Sequence, residues 1–384
     1  MDNKPTTIVV LNENEQRGEK AYCTALFKFG FINAHVTSLI TSKEARINQA
    51  ASLLFAEYVS DTLLRQAAGG KCFAQANSIV LHFNSSHSSV LAKLEGLFDT
   101  FFSNTTTEKE FKAFKKRAYD KFSRRYVDTK YRAYLKVLEV CGYEAQFRLD
   151  DLTKSLQEIT FEEYTSFLEK ILHPGNLVIF LDGKVKNFSQ DAVMDLLPPV
   201  FTERRNKDWS VISIPTTATA LDSDYSSELL GDREMYAFAL KFYFSEVDPS
   251  DMFIFLLFIS AALDVPATVM LDGNMSSIVC LIEEEKQIDA RLLKNFDEEH
   301  FKRLKLSCEM LLNSIYQDPQ NFGKMVVQAL SQGVAIFAIF AGFTSVSFEN
   351  VKSFIENDYP QVRKGLVHVH MLGEDDGQEK KNRC

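Results

Sequence analysis

The chain has 384 residues, of which 46% are hydrophobic, so it can bury a core in each of two domains. Its formal net charge of −9 argues against a nucleic-acid partner, because proteins that bind nucleic acids present basic surfaces. Its six cysteines form no C-x-x-C pair and most lie in apolar segments, which predicts buried free thiols in a reducing, cytoplasmic compartment.

The first half of the chain alternates strand and helix patterns. The apolar run 21–31 predicts a strand, and the spacing of apolar residues over 43–65 predicts a helix. Residues 73–83 alternate as one strand would, or as two short strands broken near Asn77. The segment 90–102 places its leucines and phenylalanines on one side of a predicted helix.

Helices follow in the rest of this half. The polar segment 105–110 is typical of a helix start, and this helix should run through Phe122. The elements predicted after it are a helix over 126–140, a short turn capped by Asp150 and Asp151, a helix over 161–171 and a strand that ends at Gly183.

Residues 184–232 are rich in proline, threonine and serine, which predicts a connection between two halves. The second half then repeats the order of the first. Its predicted elements are strands over 235–244 and 276–282 and helices over 250–263, 288–296, from 297 onward and over 326–343. We expect the last helix to be buried in protein rather than to span a membrane, because polar residues and Gly333 interrupt it.

A duplication within the chain explains this order. Residues 159–169 read as a capped helix that leads to the apolar strand 176–183. Residues 346–356 lead in the same way to the strand 366–373. Phenylalanine, glutamate and serine recur at matching positions of the two helices. Such a repeat predicts that both halves share one fold.

Two further observations support the duplication. Thr160 and Ser347 occupy the N-cap positions of the two helices, and a glutamate or asparagine follows three residues later. A second match, between 107–115 and 297–305, repeats glutamate, phenylalanine and lysine at the same spacing.

We therefore predict an α+β fold with two tandem homologous domains, each a mostly antiparallel or mixed sheet covered by helices. The predicted bounds are a first domain over 1–183, a linker over 184–232, a second domain over 233–373 and a disordered tail over 374–384. The chain has no Gly-rich phosphate loop, which argues against a doubly wound nucleotide-binding fold.

The order of elements and the two matching helices resemble the insulinase/pitrilysin/mitochondrial-processing-peptidase family of zinc peptidases, the inverzincins. The resemblance covers nearly the whole chain. It implies two similar domains of the LuxS/processing-peptidase-like metallopeptidase fold, joined by a linker. In that family two such units close like a clamshell around an unfolded peptide.

The resemblance also implies a zinc motif that this sequence lacks. Family members carry His-x-x-Glu-His on the first long helix, and its glutamate is the general base. The matching stretch here keeps Glu57 but has Leu54 and Tyr58 where imidazoles are needed, with Asp120 roughly where a third ligand is expected. We expect no metal, no cofactor and no catalysis. We interpret Glu57 as a surface residue, the alternatives being a relic of the motif or a working base.

The resemblance further implies a place for substrate. In the family the strand after the metal helix lies at a sheet edge, and the peptide adds to it as an extra strand. Carried over to this chain, the implied peptide contacts are Phe73, Ala74, Gln75, Ala76 and Asn77. The alternative is an ordinary core strand.

Other candidate sites have simpler interpretations. His368 and His370 share one face of a predicted strand, and without a third ligand nearby in sequence we interpret them as exposed histidines. His82 and His87 flank a strand-to-helix turn and are interpreted as capping, solvent-exposed residues. Cys72 is interpreted as a buried strand cysteine rather than a nucleophile.

A basic helix face completes the candidates. Its members are Lys112, Lys115, Lys116, Arg117, Lys121, Arg124 and Arg125. A solvated helix face is the favoured interpretation, and binding to nucleic acid or to an acidic partner is the alternative.

The leading functional hypothesis is a non-catalytic, peptidase-like subunit that binds an extended peptide and pairs with a homologous zinc-bearing subunit for peptide processing. One alternative is a stand-alone homodimer that captures peptides as a chaperone or immunity factor. Another is an enzyme of a different type that uses Cys72 or a histidine cluster. The start of the chain shows no signal-peptide pattern, and we expect no membrane span.

Overall fold

The structure is a computed structural model. It describes residues 7–31, 35–38, 44–65, 69–102, 106–139, 149–199, 210–212, 225–243, 251, 254–255, 257–258, 261, 267–272, 275–282, 296–334, 336–357 and 363–371.

The chain forms two compact units, and each unit draws on three stretches of sequence. The first comprises 1–121, 146–216 and 312–336, and the second comprises 122–145, 217–311 and 337–384. The predicted domain bounds follow the repeat in the sequence and stay a prediction.

The first unit contains a five-stranded sheet of order β1-β7-β2-β6-β5. Its strands are β1 (Ile8–Glu13), β2 (Lys20–Phe27), β5 (Lys71–Ala74), β6 (Ile79–Ser86) and β7 (Leu177–Gly183). β1 runs parallel to β7, and every other neighbour in this sheet is antiparallel. Three short strands form a separate small sheet: β3 (His35–Ser38), β4 (Glu44–Arg46) and β8 (Ser210–Ile212).

Helices and aromatic rings form the core of this unit. α1 (Ala50–Arg65), α2 (Val90–Phe102) and α7 (Gln190–Met194) pack against the first sheet, and α5 (Leu149–Glu158) and α6 (Phe161–Ile171) contact α1. The first part of α3 (Glu108–Tyr126) belongs to the same unit. Phe55 of α1 lies edge-on to Phe27 of β2 at 5.2 Å between ring centroids. Phe167 of α6 meets Phe29 edge-on at 5.1 Å. Such edge-to-face pairs add to the stabilisation from burial.

The second unit contains a sheet of the same topology. Its order is β11-β12-β10-β13-β9, built from β9 (Tyr225–Gly231), β10 (Met235–Tyr243), β11 (Ala267–Asp272), β12 (Met275–Ile282) and β13 (Arg363–Met371). Here β9 runs parallel to β13, as β1 does to β7, and the other pairs are antiparallel. This agreement confirms an α+β fold of two matching mixed sheets covered by helices.

The later helices are α4 (Thr129–Leu138), α8 (Glu298–Gln317), α9 (Pro319–Ser331), α10 (Ile336–Ser345) and α11 (Phe348–Asn357). α9 belongs to the first unit and packs on β2 and β7, although it follows β2 by more than half of the chain. Gly323 permits this approach, because a Cβ atom there would collide with the Thr24 side chain on β2. α4 packs in the corresponding way on β10, β12 and β13 of the second unit.

The repeated helices are confirmed as α6 and α11, each followed by a strand. Thr160 accepts a hydrogen bond from the Glu163 amide at 3.1 Å, and the Glu163 carboxylate accepts one from the Thr160 amide at 2.7 Å. Ser347 and Asn350 make the same reciprocal pair, at 3.2 and 3.1 Å. Both helices therefore begin with capping boxes that satisfy amides that helix geometry leaves free.

A buried ion pair fixes the far ends of β1 and β7. Arg17 follows β1 in a short 3-10 helix, and its Nε donates to Asp182 Oδ2 at 2.7 Å. Asn12 donates to the other carboxylate oxygen at 2.8 Å, and Arg17 also donates to the Tyr316 carbonyl at 2.6 Å. The carboxylate is buried with its hydrogen bonds met, as a buried charge requires.

Several predicted elements differ from the structure. The helix predicted over 43–65 begins at Ala50, and the first residues of that range form β4. The helix predicted over 126–140 begins at Thr129, because Asp128 caps it through the Lys130 amide. Asp150 and Asp151 lie inside α5 rather than in a capped turn.

Two further differences concern the second half. The helix predicted over 326–343 is two helices, α9 and α10, because Gly333 adopts a left-handed φ of 77° between them. The stretch predicted as a connection over 184–232 contains β9, an edge strand of the second sheet. The helix predicted over 288–296 and the tail over 374–384 lie, apart from Phe296, outside the described residues.

Within the described part of the chain, no helix combines the length and the apolar character that a membrane crossing needs.

Candidate functional site

Helix α1 carries the stretch that resembles the metal helix, and its side chains are packed as a core. Leu54 is fully buried. Tyr58 lies against the Phe101 and Phe114 rings at centroid distances of 6.4 and 5.8 Å, and its hydroxyl donates to the Thr100 carbonyl at 3.0 Å. Burial raises the pKa of the Tyr58 phenol, so the group stays protonated. The two positions where imidazoles were expected therefore serve packing.

Glu57 is buried on the same helix, and the prediction of a surface residue is wrong. Its side chain is 8% exposed and meets two cations of α3. Arg117 Nε donates to Oε1 at 3.1 Å, and Lys121 Nζ donates to Oε2 at 2.5 Å. Arg117 and Lys121 stand four residues apart, which places them on one face of α3. A carboxylate this deeply buried needs such compensation, because an unpaired buried charge costs several kcal/mol.

The ion pairs continue one turn further along α1. Arg117 also contacts Asp61, at 3.3 Å between nitrogen and oxygen, and Asp61 contacts Arg65 at 2.6 Å. Glu110 of α3 lies 4.0 Å from Arg65. These groups line a cavity of about 320 Å³ between α1, α2 and α3. Since both signs of charge are matched within it, the cavity favours neither an anion nor a cation.

This arrangement holds Glu57 in place. A general base must lie within hydrogen-bond reach of the proton that it takes. Glu57 is buried, and each of its carboxylate oxygens accepts a hydrogen bond from a cation of α3. Asp120 is half-buried beside Lys121, and among the described residues neither it nor Glu57 belongs to a group of three side chains that could share a metal ion. Two positive charges, those of Arg117 and Lys121, stand beside Glu57, whereas the motif that this sequence lacks would hold a zinc ion there.

Strand β5 lies at an edge of the first sheet. It pairs with β6 on one side and, among the described residues, with no strand on the other. The Gln75 amide donates to the Ser78 carbonyl at 2.7 Å, which makes these residues a hydrogen-bonded pair. Hydrogen-bonded and non-hydrogen-bonded pairs alternate along antiparallel strands, so Ala74 and Cys72 belong to non-hydrogen-bonded pairs. Their backbone amides and carbonyls therefore point away from β6, toward the edge of the sheet. Ser60 Oγ donates weakly to the Cys72 carbonyl at 3.4 Å, in agreement with that direction.

The five predicted peptide contacts therefore divide into two groups. Phe73 and Ala74 lie in β5, and both are partly exposed. Gln75, Ala76 and Asn77 lie in the turn that follows. The Gln75 carbonyl accepts from the Phe31 amide at 3.2 Å, and its side chain bonds Ser78 and Gln328. The carbonyl and the side chain of Gln75 are therefore already hydrogen-bonded within the first unit.

Cys72 also lies in β5, next to the buried ion pair. Its side chain is partly exposed, yet burial of the sulfur raises the pKa of the thiol far above its ordinary value, and the nearby charge of Glu57 raises it further. A thiol that stays protonated is a poor nucleophile. The geometry therefore gives no support to a cysteine enzyme.

His82 is buried, contrary to the solvent exposure predicted for it. It lies on β6 at 6% exposure, bonded through Nδ1 to Thr24 Oγ1 at 2.9 Å and stacked on Tyr22. Burial lowers the pKa of its imidazole to about 4. His87 stacks on Phe188 at 5.0 Å between ring centroids. Among the described residues, neither histidine belongs to a group of three side chains that could share a metal ion.

The remaining candidates lie elsewhere. His368 and His370 are half-buried on β13, beside Glu234, which precedes β10. The basic face of α3 is solvated at Lys112 but not throughout, since Arg117 and Lys121 pair with Glu57. The sequence points to Glu57, although as a surface residue, and to the basic helix face. It could not connect them, because the pairing depends on how α3 packs against α1.

Solved structures of similar fold include several M16-like peptidases. A putative M16-like peptidase from Alicyclobacillus acidocaldarius superposes with a TM-score of 0.72 at 12% identity, covering 96% of this chain and 97% of that one. An inactive domain of an M16 peptidase from Pseudomonas fluorescens gives 0.65 at 11% identity, covering 94% of each chain. Pitrilysin gives 0.62 at 13% identity, covering 98% of this chain but 44% of pitrilysin.

These matches confirm the predicted fold, that of M16-like peptidases. No protein-family model matches the sequence. No curated protein matches it either. At identities of 11–13% the likeness lies in the arrangement of helices and strands.

The buried ion pair leads to a prediction about stability. In an Arg117→Met/Lys121→Met variant, Glu57 keeps its buried charge without a partner. We expect the free energy of unfolding to fall by about 2–4 kcal/mol, the lower part of the range for broken buried pairs because both cations are partly exposed. Adding Glu57→Gln should recover much of this loss. Denaturant titrations measure both changes.

A matched control uses the exposed lysines of the same helix. Lys112→Met/Lys116→Met should change the stability by less than about 0.5 kcal/mol. The contrary result is a triple variant, with Glu57→Gln added, whose free energy of unfolding falls as much as that of the Arg117→Met/Lys121→Met variant. That result would show that the two cations do not act through Glu57.

His82 leads to a prediction about pH. Its folded pKa of about 4 lies below the ordinary value of 6.5, so the folded state favours the neutral ring. The neutral ring therefore contributes up to about 3 kcal/mol to the free energy of unfolding. This contribution is fully present above about pH 6.5 and is lost as the pH falls toward 4. In His82→Asn we expect a flatter dependence of unfolding free energy on pH over this interval. In NMR spectra, the His82 ring proton can be assigned because its signal is absent from the His82→Asn variant. This signal should titrate near pH 4. Titration near pH 6.5 would show that burial does not lower the pKa of His82.

Proposed function

We propose that this chain, which has the fold of M16-like peptidases, is a non-catalytic subunit that binds an extended peptide along β5 and pairs with a homologous, zinc-bearing subunit. The observation that carries the proposal is the pairing of Glu57 with Arg117 and Lys121 beside an edge strand whose outward backbone groups have no strand partner among the described residues. Peptide processing by the assembled pair is the setting we propose for it.

The absence of catalysis is supported by the charge arrangement on α1 and α3. Hydrolysis by a metal requires ligands that hold the ion and a base that takes a proton from water. In this chain the glutamate that could act as base accepts hydrogen bonds from two cations, and leucine and tyrosine stand at the expected ligand positions. The similarity to an inactive M16 domain agrees with this proposal.

Peptide binding is supported by the exposed side of β5. A peptide that adds to a sheet edge gains main-chain hydrogen bonds with few demands on its side chains. The outward amides of Cys72 and Ala74 and the Ala74 carbonyl offer this ladder, and the Cys72 carbonyl, which holds only a weak bond from Ser60 Oγ, can extend it. The ligand class is therefore an extended, unstructured peptide.

A homologous partner is supported by relative size. This chain covers 44% of pitrilysin, so it corresponds in fold to somewhat less than half of that protein. A homologous counterpart would match another part of pitrilysin of comparable length. Because this chain supplies no metal ligands at Glu57, the counterpart must supply the zinc motif. We also propose the cytoplasm as the compartment, in keeping with cysteines that are free at Cys23, Cys72 and Cys308.

The edge strand leads to a prediction about peptide affinity. Ala74→Pro removes an outward amide and places a ring at the edge, whereas Ala74→Val keeps the amide. We expect Ala74→Pro to weaken binding of a labelled pool of unstructured peptides about tenfold, equivalent to about 1.4 kcal/mol, and Ala74→Val to retain it. Fluorescence anisotropy measures the affinity, and thermal unfolding verifies that both variants are folded.

A second probe covers the case in which Ala74→Pro fails to fold. Peptides methylated at alternate backbone nitrogens should bind the wild-type chain more weakly than the unmodified pool, because methylation removes the donors that a strand needs. Equal affinity for methylated and unmodified peptides would contradict binding along an edge.

The partner can be identified by affinity purification of the tagged chain from its native source. We expect to recover a homologous chain that carries His-x-x-Glu-His, and zinc-dependent peptide hydrolysis only when both chains are present. Recovery of this chain alone, as a homodimer that binds peptides, would contradict the paired assembly and favour stand-alone capture. Hydrolysis by this chain alone would overturn the non-catalytic assignment.

A further inference from the structure

Two histidines of the second unit share one face of β13. Val367 and Val369 are fully buried, and His368 and His370 alternate with them, so their rings stand on the opposite face. The side chains of these histidines remain 27% and 38% exposed. Their ring centroids are 3.8 Å apart. Two imidazoles this close bring their nitrogen lone pairs to one small region of the surface.

A carboxylate from another strand reaches the same region. Glu234 immediately precedes β10, which runs antiparallel to β13 with Met235 opposite Val369. Its Oε1 lies 2.5 Å from His368 Nε2. One ligand atom from each of Glu234, His368 and His370 lies within 4.8 Å of the other two. Among the described residues, this is the only such group of three.

Neighbouring side chains hold the rings in place. Tyr236 lies directly opposite His368 on β10, and their rings stack at 4.4 Å between centroids with 7° between planes. Glu228 of β9 places a carboxylate oxygen 3.8 Å from His370 Nε2. Contacts of this kind orient metal-binding imidazoles and supply further negative charge around them. Two members of the group, His368 and His370, stand on a strand, and Glu234 lies immediately before the paired strand β10.

We propose that Glu234, His368 and His370 bind one Zn²⁺ ion. Two neutral imidazoles and a carboxylate are a donor set that zinc prefers, and three protein ligands leave a fourth position for water. The partial exposure of all three side chains provides that open position and an entry path for the ion. This site lies in the second unit, apart from Glu57, and it does not depend on the proposed peptidase-like function.

Zinc at this place would tie the start of β10 to the end of β13. The three ligands converge only when these strands are paired in the observed register. An ion that binds the folded state more tightly than the unfolded chain raises stability in proportion to the logarithm of its concentration. The site thus stabilises the central strand pair of the second sheet.

Equilibrium dialysis of the full chain against zinc chloride tests the site. We expect one zinc ion per chain, with a thermal unfolding midpoint that rises with zinc concentration. His368→Ala and His370→Ala should each weaken zinc binding at least about tenfold and abolish the thermal shift, as loss of one ligand in three predicts. His300→Ala, at a histidine of α8 outside this group, is the matched control and should bind zinc as the wild type does.

Cobalt substitution keeps the test decisive if a variant misfolds. Co²⁺ bound to the wild-type chain by two imidazoles and a carboxylate should give visible absorption bands and shifted resonances from two histidine rings. Failure of the wild-type chain to retain either metal would overturn the proposal. So would zinc binding that persists unchanged in His368→Ala and His370→Ala, since that result would place the ion elsewhere.

Discussion

A buried carboxylate must be matched by positive charge, and in this chain Arg117 and Lys121 supply that charge to Glu57. This requirement joins α1 to α3 through a pair of hydrogen bonds beneath the edge of the first sheet. It also ties the Glu57 side chain to α3, because each of its two oxygens accepts a hydrogen bond from a cation. The chain thus combines the fold of M16-like peptidases with a buried glutamate that makes ion pairs between helices.

The edge strand β5 is independent of any chemistry at Glu57. The edge of the sheet is formed by hydrogen bonds between β5 and β6 and does not depend on any metal. Outward backbone groups at a sheet edge can receive an extended peptide whatever the chemistry of the neighbouring helix.

Much of the fold could be predicted from the sequence because the chain repeats itself. The capping boxes at Thr160 and Ser347 mark two equivalent helices. The strand after each helix belongs to a sheet, and the two sheets have the same topology. The strands β1 and β9 were missed. Each is a short edge strand parallel to the closing strand of its sheet, and parallel pairing with a residue far along the chain leaves no local hairpin pattern.

The candidate sites were harder to predict, because they depend on which elements meet. The helical pattern around Glu57 is that of an amphipathic helix, and only the packing of α3 shows that this position is covered. The third side chain beside His368 and His370 is Glu234, which reaches them through the register of β10 and β13. The split between α9 and α10 had a local signal in Gly333, but an apolar run on both sides of it concealed the break.

The most direct measurement of the central claim is an anomalous difference map from crystals of the chain grown with excess zinc. The environment of Glu57 should contain no zinc peak, and the density should show Arg117 and Lys121 in contact with both carboxylate oxygens. A zinc peak within bonding distance of Glu57, with Arg117 or Lys121 turned away into solvent, would contradict the replacement of the metal by these two cations.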